Sequence, residues 1–310
     1  MGLITMAASK GKGRKGRKRT KKKSLVVFYI AAAFILGIVA ALLLVRYFDV
    51  DLSDVGRYGD GDKDVVVVVD DLPTPVAIIP DTPIETPVIQ PKYRLAIVID
   101  DMGRTMSSLD SILALDAPIT IAVLPNLGRS EEVAIKAKDH GIEVLLHMPM
   151  EPLSSLNDPG KGAVFTTMTD EEVRAKVTQA VESVPGIVGI NNHMGSKFTA
   201  DADKMAVVLD VLKSKDLFFL DSRTTAKSVG VELARKHSVE TIGRDLFLDN
   251  EEDQAYIEAQ LRKAIARAKR KGRAVAIGHP YPETIRAISA VMGDLESEGV
   301  TIVSVSEFVR

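Results

Sequence analysis

"LAIVIDDMG", residues 95–103, runs five apolar residues directly into two adjacent carboxylates and a glycine. An uninterrupted β-prone run of this length describes a strand buried on both faces, as in parallel sheets. Neighbouring carboxylates repel each other and resist burial. Asp100 and Asp101 therefore either cap the next helix or hold something positive.

The same pattern recurs toward the C-terminus. Apolar runs stand at 119–123, 142–146, 187–190, 217–220, 239–242, 274–277 and 301–304, separated by amphipathic stretches. "TDEEVRAKVTQAVESV" opens on Thr169 with Glu172 three residues on, a capping box. A second helix is predicted from Asn250, with acids in its first turn and bases before Gly272, as the helix dipole favours. Short strands alternating with helices predict an α/β fold with a mainly parallel sheet. The expected form is a distorted (β/α) barrel of about seven strands, with an open doubly wound sheet as the alternative.

In either form, sites lie at the C-terminal ends of the strands. Asp100 and Asp101 follow the first run, His147 the third, His193 follows "IVGINN", Asp221 follows "LFFL" and His279 follows "AVAIG". The two remaining histidines, His140 and His237, precede Gly141 and Ser238 at expected helix ends and are read as structural. Each motif also has a local reading. Asp is common in turns, His147 fits a satisfied core histidine, Asp221 or Ser222 fits an N-cap, and "GHPYPE" fits a helix start with Pro282 in its first turn. Caps do not explain why three histidines and three aspartates share one sheet edge. One carboxylate with two imidazoles is a usual metal site that leaves positions open.

The N-terminal third differs in composition. Residues 1–23 form a basic tail with ten Lys or Arg and no acid. The remaining chain carries 30 basic against 42 acidic side chains, a net charge of −12, which argues against a nucleic-acid-binding body. Residues 25–45, "LVVFYIAAAFILGIVAALLLV", are 21 residues without a charge. A span needs about 20 helical residues, so residues 24–46 are expected to be a single transmembrane anchor. The basic flank places the N-terminus in the cytoplasm and the remainder outside, in the periplasm or its equivalent. A cleaved signal peptide is the rival, but the apolar stretch is long and "ALLLVRYF" offers no small-residue cleavage site. Residues 47–92 are acidic and proline-rich and read as a semi-rigid linker, with "VVVVV" at 65–69 as a strand-like exception. No cysteine is present to make a thiolate metal site.

Residues 93–310 resemble the divergent polysaccharide deacetylase family, a branch of the NodB-like carbohydrate esterases. "VIDDMG", "LLHMPMEP", "NNHMGSKFT", "LDSRTT" and "IGHP" carry the resemblance. It implies a distorted (β/α) barrel that removes N-acetyl groups from a glycan, using a divalent metal, expected to be Zn²⁺, to activate water. Asp100 matches the catalytic base; Asp101, His147 and His193 match metal ligands; His279 matches the general acid and Asp221 its orienting carboxylate. The superfamily's "HxxxH" ends here on Glu151, and "NNHMGS" lacks the usual Arg and Pro. Glu151, Asn192, Lys197 and Arg223 are thus further candidates for metal or substrate contact. Strand alternation predicts that Asp100 and Asp101 point apart, one to the metal and one to its water. The expected partners are the membrane and an acetylated envelope polysaccharide. A non-catalytic glycan- or protein-binding module on the same barrel is the alternative, and a phosphoesterase using the same ligands is a third reading.

Overall fold

The computed structural model describes residues 92–295 and 297–309. The expected basic tail, anchor and linker, including "VVVVV", lie outside these residues. No helix among the described residues is long and apolar enough to cross a membrane.

Among the described residues, nine strands are interspersed with seven α-helices. The strands are β1 (Tyr93–Met102), β2 (Thr120–Val123), β3 (Val144–Met150), β4 (Gly189–Met194), β5 (Phe218–Asp221), β6 (Thr241–Gly243), β7 (Leu246–Phe247), β8 (Arg273–Gly278) and β9 (Val300–Ile302). The helices are α1 (Met106–Leu113), α2 (Ser130–Asp139), α3 (Asp170–Ser183), α4 (Ala202–Ser214), α5 (Gly230–Lys236), α6 (Gln254–Lys271) and α7 (Pro282–Leu295).

All ladders are parallel and run in the order β6-β5-β4-β3-β2-β1-β8-β7, with β9 against the start of β1. The two outermost strands, β6 and β7, are separated only by Arg244 and Asp245. Arg244 N donates to Asp221 O in β5, and Asp245 N donates to Val275 O in β8. One bent segment thus joins both edges, so the sheet curls on itself. It has nine segments rather than about seven, because the bent segment breaks in two and β9 adds three residues.

Period-2 alternation sorts the side chains into two cores. Leu95, Ile97, Ile99, Leu146, Met148, Ile190, Phe219, Ala274 and Ala276 pack outward against the helices. Ala96, Val98, Leu145, Phe218, Leu220, Val275 and Ile277 pack on the concave side, together with Val303, Val305 and Phe308. Burial of both faces is what a parallel sheet demands.

Thr169 caps α3 with the reciprocal capping box, and α6 ends at Gly272 in the left-handed conformation. The helix expected from Asn250 instead begins at Gln254, capped by the Asp253 side chain accepting from Tyr256 N at 2.8 Å. Residues before it are held elsewhere, because Asp249 is bonded to His279 and Thr284.

Candidate metal centre

The alternation that builds the concave core also builds the site. Continuing each inward set toward the C-terminal strand ends leads from Val98 to Asp100, from Leu145 to His147, from Gly189 to Asn191 and His193, from Leu220 to Ser222 and from Ile277 to His279. Polar residues thus replace apolar ones on one face once the strands leave the core.

Asp101 breaks the alternation. It belongs to the outward set, yet β1 gains one extra residue relative to β2 between Ile99 and Met102, and Asp101 adopts φ 57°. A bulge of this kind re-aims a side chain, and a left-handed non-glycine residue stores strain that its surroundings must offset. The two carboxylates consequently do not point apart as expected. Asp100 Oδ2 lies 3.6 Å and Asp101 Oδ1 3.2 Å from the same atom, His147 Nε2.

Three donor atoms meet there. Asp101 Oδ1, His147 Nε2 and His193 Nδ1 are separated by 3.2, 3.0 and 3.1 Å. His147 Nδ1 lies 2.8 Å from Asn191 Oδ1. Asn191 Nδ2 donates to Asp100 Oδ1 at 2.7 Å, which fixes the amide with its oxygen toward the histidine. His147 therefore carries its proton on Nδ1, and Nε2 offers a lone pair to the triangle. Asp101 Oδ1 is buried with no well-aligned donor among the described residues. Lone pairs converging at this distance require a shared proton or a cation.

The charges show the same strain. Burial pushes the Asp100 carboxyl above its usual range, outweighing the pull of His147 and His279. For Asp101 burial acts the same way but is overcome by His147 and His193, which hold its carboxyl far below that range. His147 is raised, since Asp100 and Asp101 outweigh the burial that disfavours an imidazolium. An N₂O set at these separations fits a divalent ion, whose roughly 2.0–2.2 Å bonds place neighbouring ligands roughly 3–3.5 Å apart. Asp101, His147 and His193 are also the group among the described residues whose ligand atoms could hold a metal ion.

His279 approaches from β8. Its Nδ1 lies 2.9 Å from Asp249 Oδ1, and its backbone N–H donates to Asp249 Oδ2. Burial disfavours the imidazolium, but Asp249 wins and raises the pKa to about 9. The orienting carboxylate expected at Asp221 is thus Asp249. Asp221 shares the outward set of Phe219 and faces the helix layer, where its oxygens accept from Arg223 N at 2.7 Å and Ser228 Oγ at 2.7 Å.

A scan against family models matches residues 97–309 to the divergent polysaccharide deacetylases. The chain belongs to the divergent polysaccharide deacetylase family. It is 38% identical over 217 residues to the uncharacterized protein YibQ of Escherichia coli, covering 70% of this chain and 67% of that one. It is 37% identical over 205 residues to an uncharacterized protein of Haemophilus influenzae, covering 66% and 73%. A crystal structure of an uncharacterized protein from Agrobacterium tumefaciens superposes with a TM-score of 0.67 at 24% identity, over 70% of this chain and 89% of that chain, which supports the fold.

The other candidates in this deacetylase-family domain lie elsewhere. Glu151, named as a replacement ligand, is not in the donor triangle. Its Oε1 accepts from Lys197 Nζ at 2.7 Å, and its Oε2 from Thr166 N and Oγ1, both at 2.7 Å. Glu151 and Lys197 thus occupy each other and tie down the loop after β3. Asn192 falls in the outward set, where it bonds Met194 O and Ser222 N. Arg223 reaches the rim, with its guanidinium against Gly243. Two site residues escaped the sequence reading. Asn191 was identifiable by its parity with His193, whereas Asp249 follows a two-residue strand too short to register as one.

Proposed function

We propose that this protein is a membrane-anchored, metal-dependent hydrolase that removes N-acetyl groups from an envelope polysaccharide. The observation that carries this reading is the triangle of Asp101 Oδ1, His147 Nε2 and His193 Nδ1 with Asp100 beside it and outside it. A divalent ion held there, Zn²⁺ being the best match to two imidazoles and one carboxylate, supplies Lewis acidity and a water of lowered pKa.

The remaining chemistry belongs to the chain. Asp100, whose Oδ1 is held by Asn191, keeps Oδ2 available to take the proton of a water attacking the acetyl carbonyl. Its raised pKa suits it to hold that proton. His279 keeps Nδ1 engaged with Asp249 and is protonated at neutral pH, so Nε2 can deliver a proton to the departing amine nitrogen. Base and acid thus come from different strands, and both have pKa values raised above their ordinary range.

The uncharged stretch at 25–45 and the basic run before it support an uncleaved inner-membrane anchor, with the domain on the outer side. A reporter fused after Arg310 should be active outside the cytoplasm; activity inside overturns the topology. For the chemistry, the purified full chain should contain one equivalent of metal and release acetate from an N-acetylglucosamine oligosaccharide. Asp100→Asn should keep the metal and lose acetate release. Metal-free, inactive protein overturns the proposal, glycan binding without acetate release favours a binding module, and phosphate release from phosphoesters favours a phosphoesterase.

A further inference from the structure

The end of the sheet opposite the donor triangle carries an excess of positive charge. Arg94 and Arg273 stand directly opposite each other near the N-terminal ends of β1 and β8, a placement that like charges resist. Both guanidinium groups lie over the Phe308 ring, 5.2 and 5.5 Å from its centre, and Arg273 Nη1 also donates to Phe308 O at 2.6 Å. The last turn of α6 brings Lys269, Arg270 and Lys271 to the same end, where Arg94 N donates to Gly272 O at 3.1 Å. Lys92, just before β1, is exposed beside them. Counter-charge is scarce. Lys269 is paired with Glu298, and Arg94 meets Glu307 only at 4.0 Å. Lys92, Arg270, Lys271 and Arg273 are exposed and form no ion pair among the described residues.

The helix dipole accounts for basic residues in the last turn of α6, but not for Lys92, Arg94 and Arg273, which lie outside the helix. The excess is also local. Residues 92–310 carry 27 basic against 32 acidic side chains, and acids gather at the opposite end, where β1 delivers Asp100 and Asp101 and "DNEED" stands at 249–253 after β7. The domain is therefore electrically polar, basic where the expected linker joins it at Lys92 and acidic around the metal centre. Clustered Lys and Arg groups on the membrane side of a domain match anionic phospholipid headgroups. Tethering raises the effective concentration of lipid at this face, so a weak contact suffices.

We infer that the face formed by Lys92, Arg94, Arg270, Lys271 and Arg273 rests on anionic lipid headgroups, which aims the metal centre away from the bilayer. This rests on the membrane-anchor reading and adds to it the orientation of the domain.

The chain has no cysteine, so a single dye can be placed at Ser297→Cys, in the turn before β9, or at Ser155→Cys, in the exposed loop after β3. The full chain is reconstituted in nanodiscs of phosphatidylcholine alone or of equal parts phosphatidylcholine and phosphatidylglycerol, and energy transfer to a headgroup-bound acceptor is measured. With phosphatidylglycerol, transfer from position 297 should exceed that from position 155. The excess should be lost with phosphatidylcholine alone, in about 1 M salt, where the screening length is about 3 Å, and in the triple variant Lys92→Gln/Arg270→Gln/Lys271→Gln. Those three side chains make no hydrogen bond within the described structure, so an unchanged denaturation midpoint separates loss of charge from loss of fold. Equal transfer from both positions, or an excess that survives salt or the triple variant, overturns the docking face. Greater transfer from position 155 also overturns it and assigns lipid contact to the loop of the exposed Leu153 and Leu156. A chain that enters neither kind of nanodisc overturns the anchor instead. The face then stands if that chain binds phosphatidylglycerol vesicles in a salt-sensitive way that the triple variant loses, and falls if it does not.

Discussion

His147 and His279 both face Asp100, one from β3 and one from the end of β8, and their Nδ1 atoms have different partners. His147 Nδ1 meets the neutral amide of Asn191, whereas His279 Nδ1 meets the carboxylate of Asp249. The amide fixes a tautomer and leaves Nε2 as a lone-pair donor. The carboxylate instead holds an imidazolium, with a pKa of about 9. Carboxylates raise the pKa of both imidazoles, so the Nδ1 partner sets the tautomer and a cation on the Nε2 lone pair of His147 would separate ligand from acid.

The largest effects should come from breaking the ligand side. Asp101→Asn or His147→Leu should remove stoichiometric metal, measured by elemental analysis, and lower acetate release by at least about a thousandfold. Retention of a full metal equivalent in both variants would mean that the triangle is not the site. Breaking the acid side should leave the metal in place. His279→Ala should cost about a hundredfold to a thousandfold in kcat, and Asp249→Asn should move the alkaline limb of the pH–rate profile down from about 9. An unchanged limb in Asp249→Asn would refute the pairing.

Interchanging the partners sharpens the contrast. Asn191→Leu removes the acceptor from His147 Nδ1 and should weaken metal affinity about tenfold to a hundredfold. Stability should respond to pH through His279. Its folded pKa lies above the ordinary 6.5, so its contribution is complete below about 6.5 and is lost as pH rises through about 9. In metal-free protein this amounts to ~3 kcal/mol, read as a falling denaturation midpoint that Asp249→Asn should flatten. The smallest effect is expected at Glu151→Gln, which should cost about 1 kcal/mol and spare metal binding. Metal loss there would return Glu151 to the ligand set.

Much of the curled parallel sheet was legible because buried parallel strands must be apolar on both faces. Runs such as "LAIVI" and "AVAIG" therefore announce themselves, and the strand ends mark where polar residues gather. Parity also carries information: Asn191 and His193 share a face, and Asn192 does not. The bent segment from β6 to β7 was not legible, since its two pieces have no periodicity of their own and exist only by pairing with β5 and β8. Asp249, positioned by that segment, was hidden with it, and Asp221 stood in its place.

The sequence by itself determined which residues could face the concave core, because alternation along a strand is a local property. It also set the charge-free stretch and the basic run at the N-terminus. The tertiary structure decided which of those residues meet. Asp101 joins His147 and His193 because β1 bulges and turns it inward at φ 57°, a conformation that the packing around it sustains. Asp249 reaches His279 because the curled sheet brings one edge to the other, a consequence of closure that no single segment encodes.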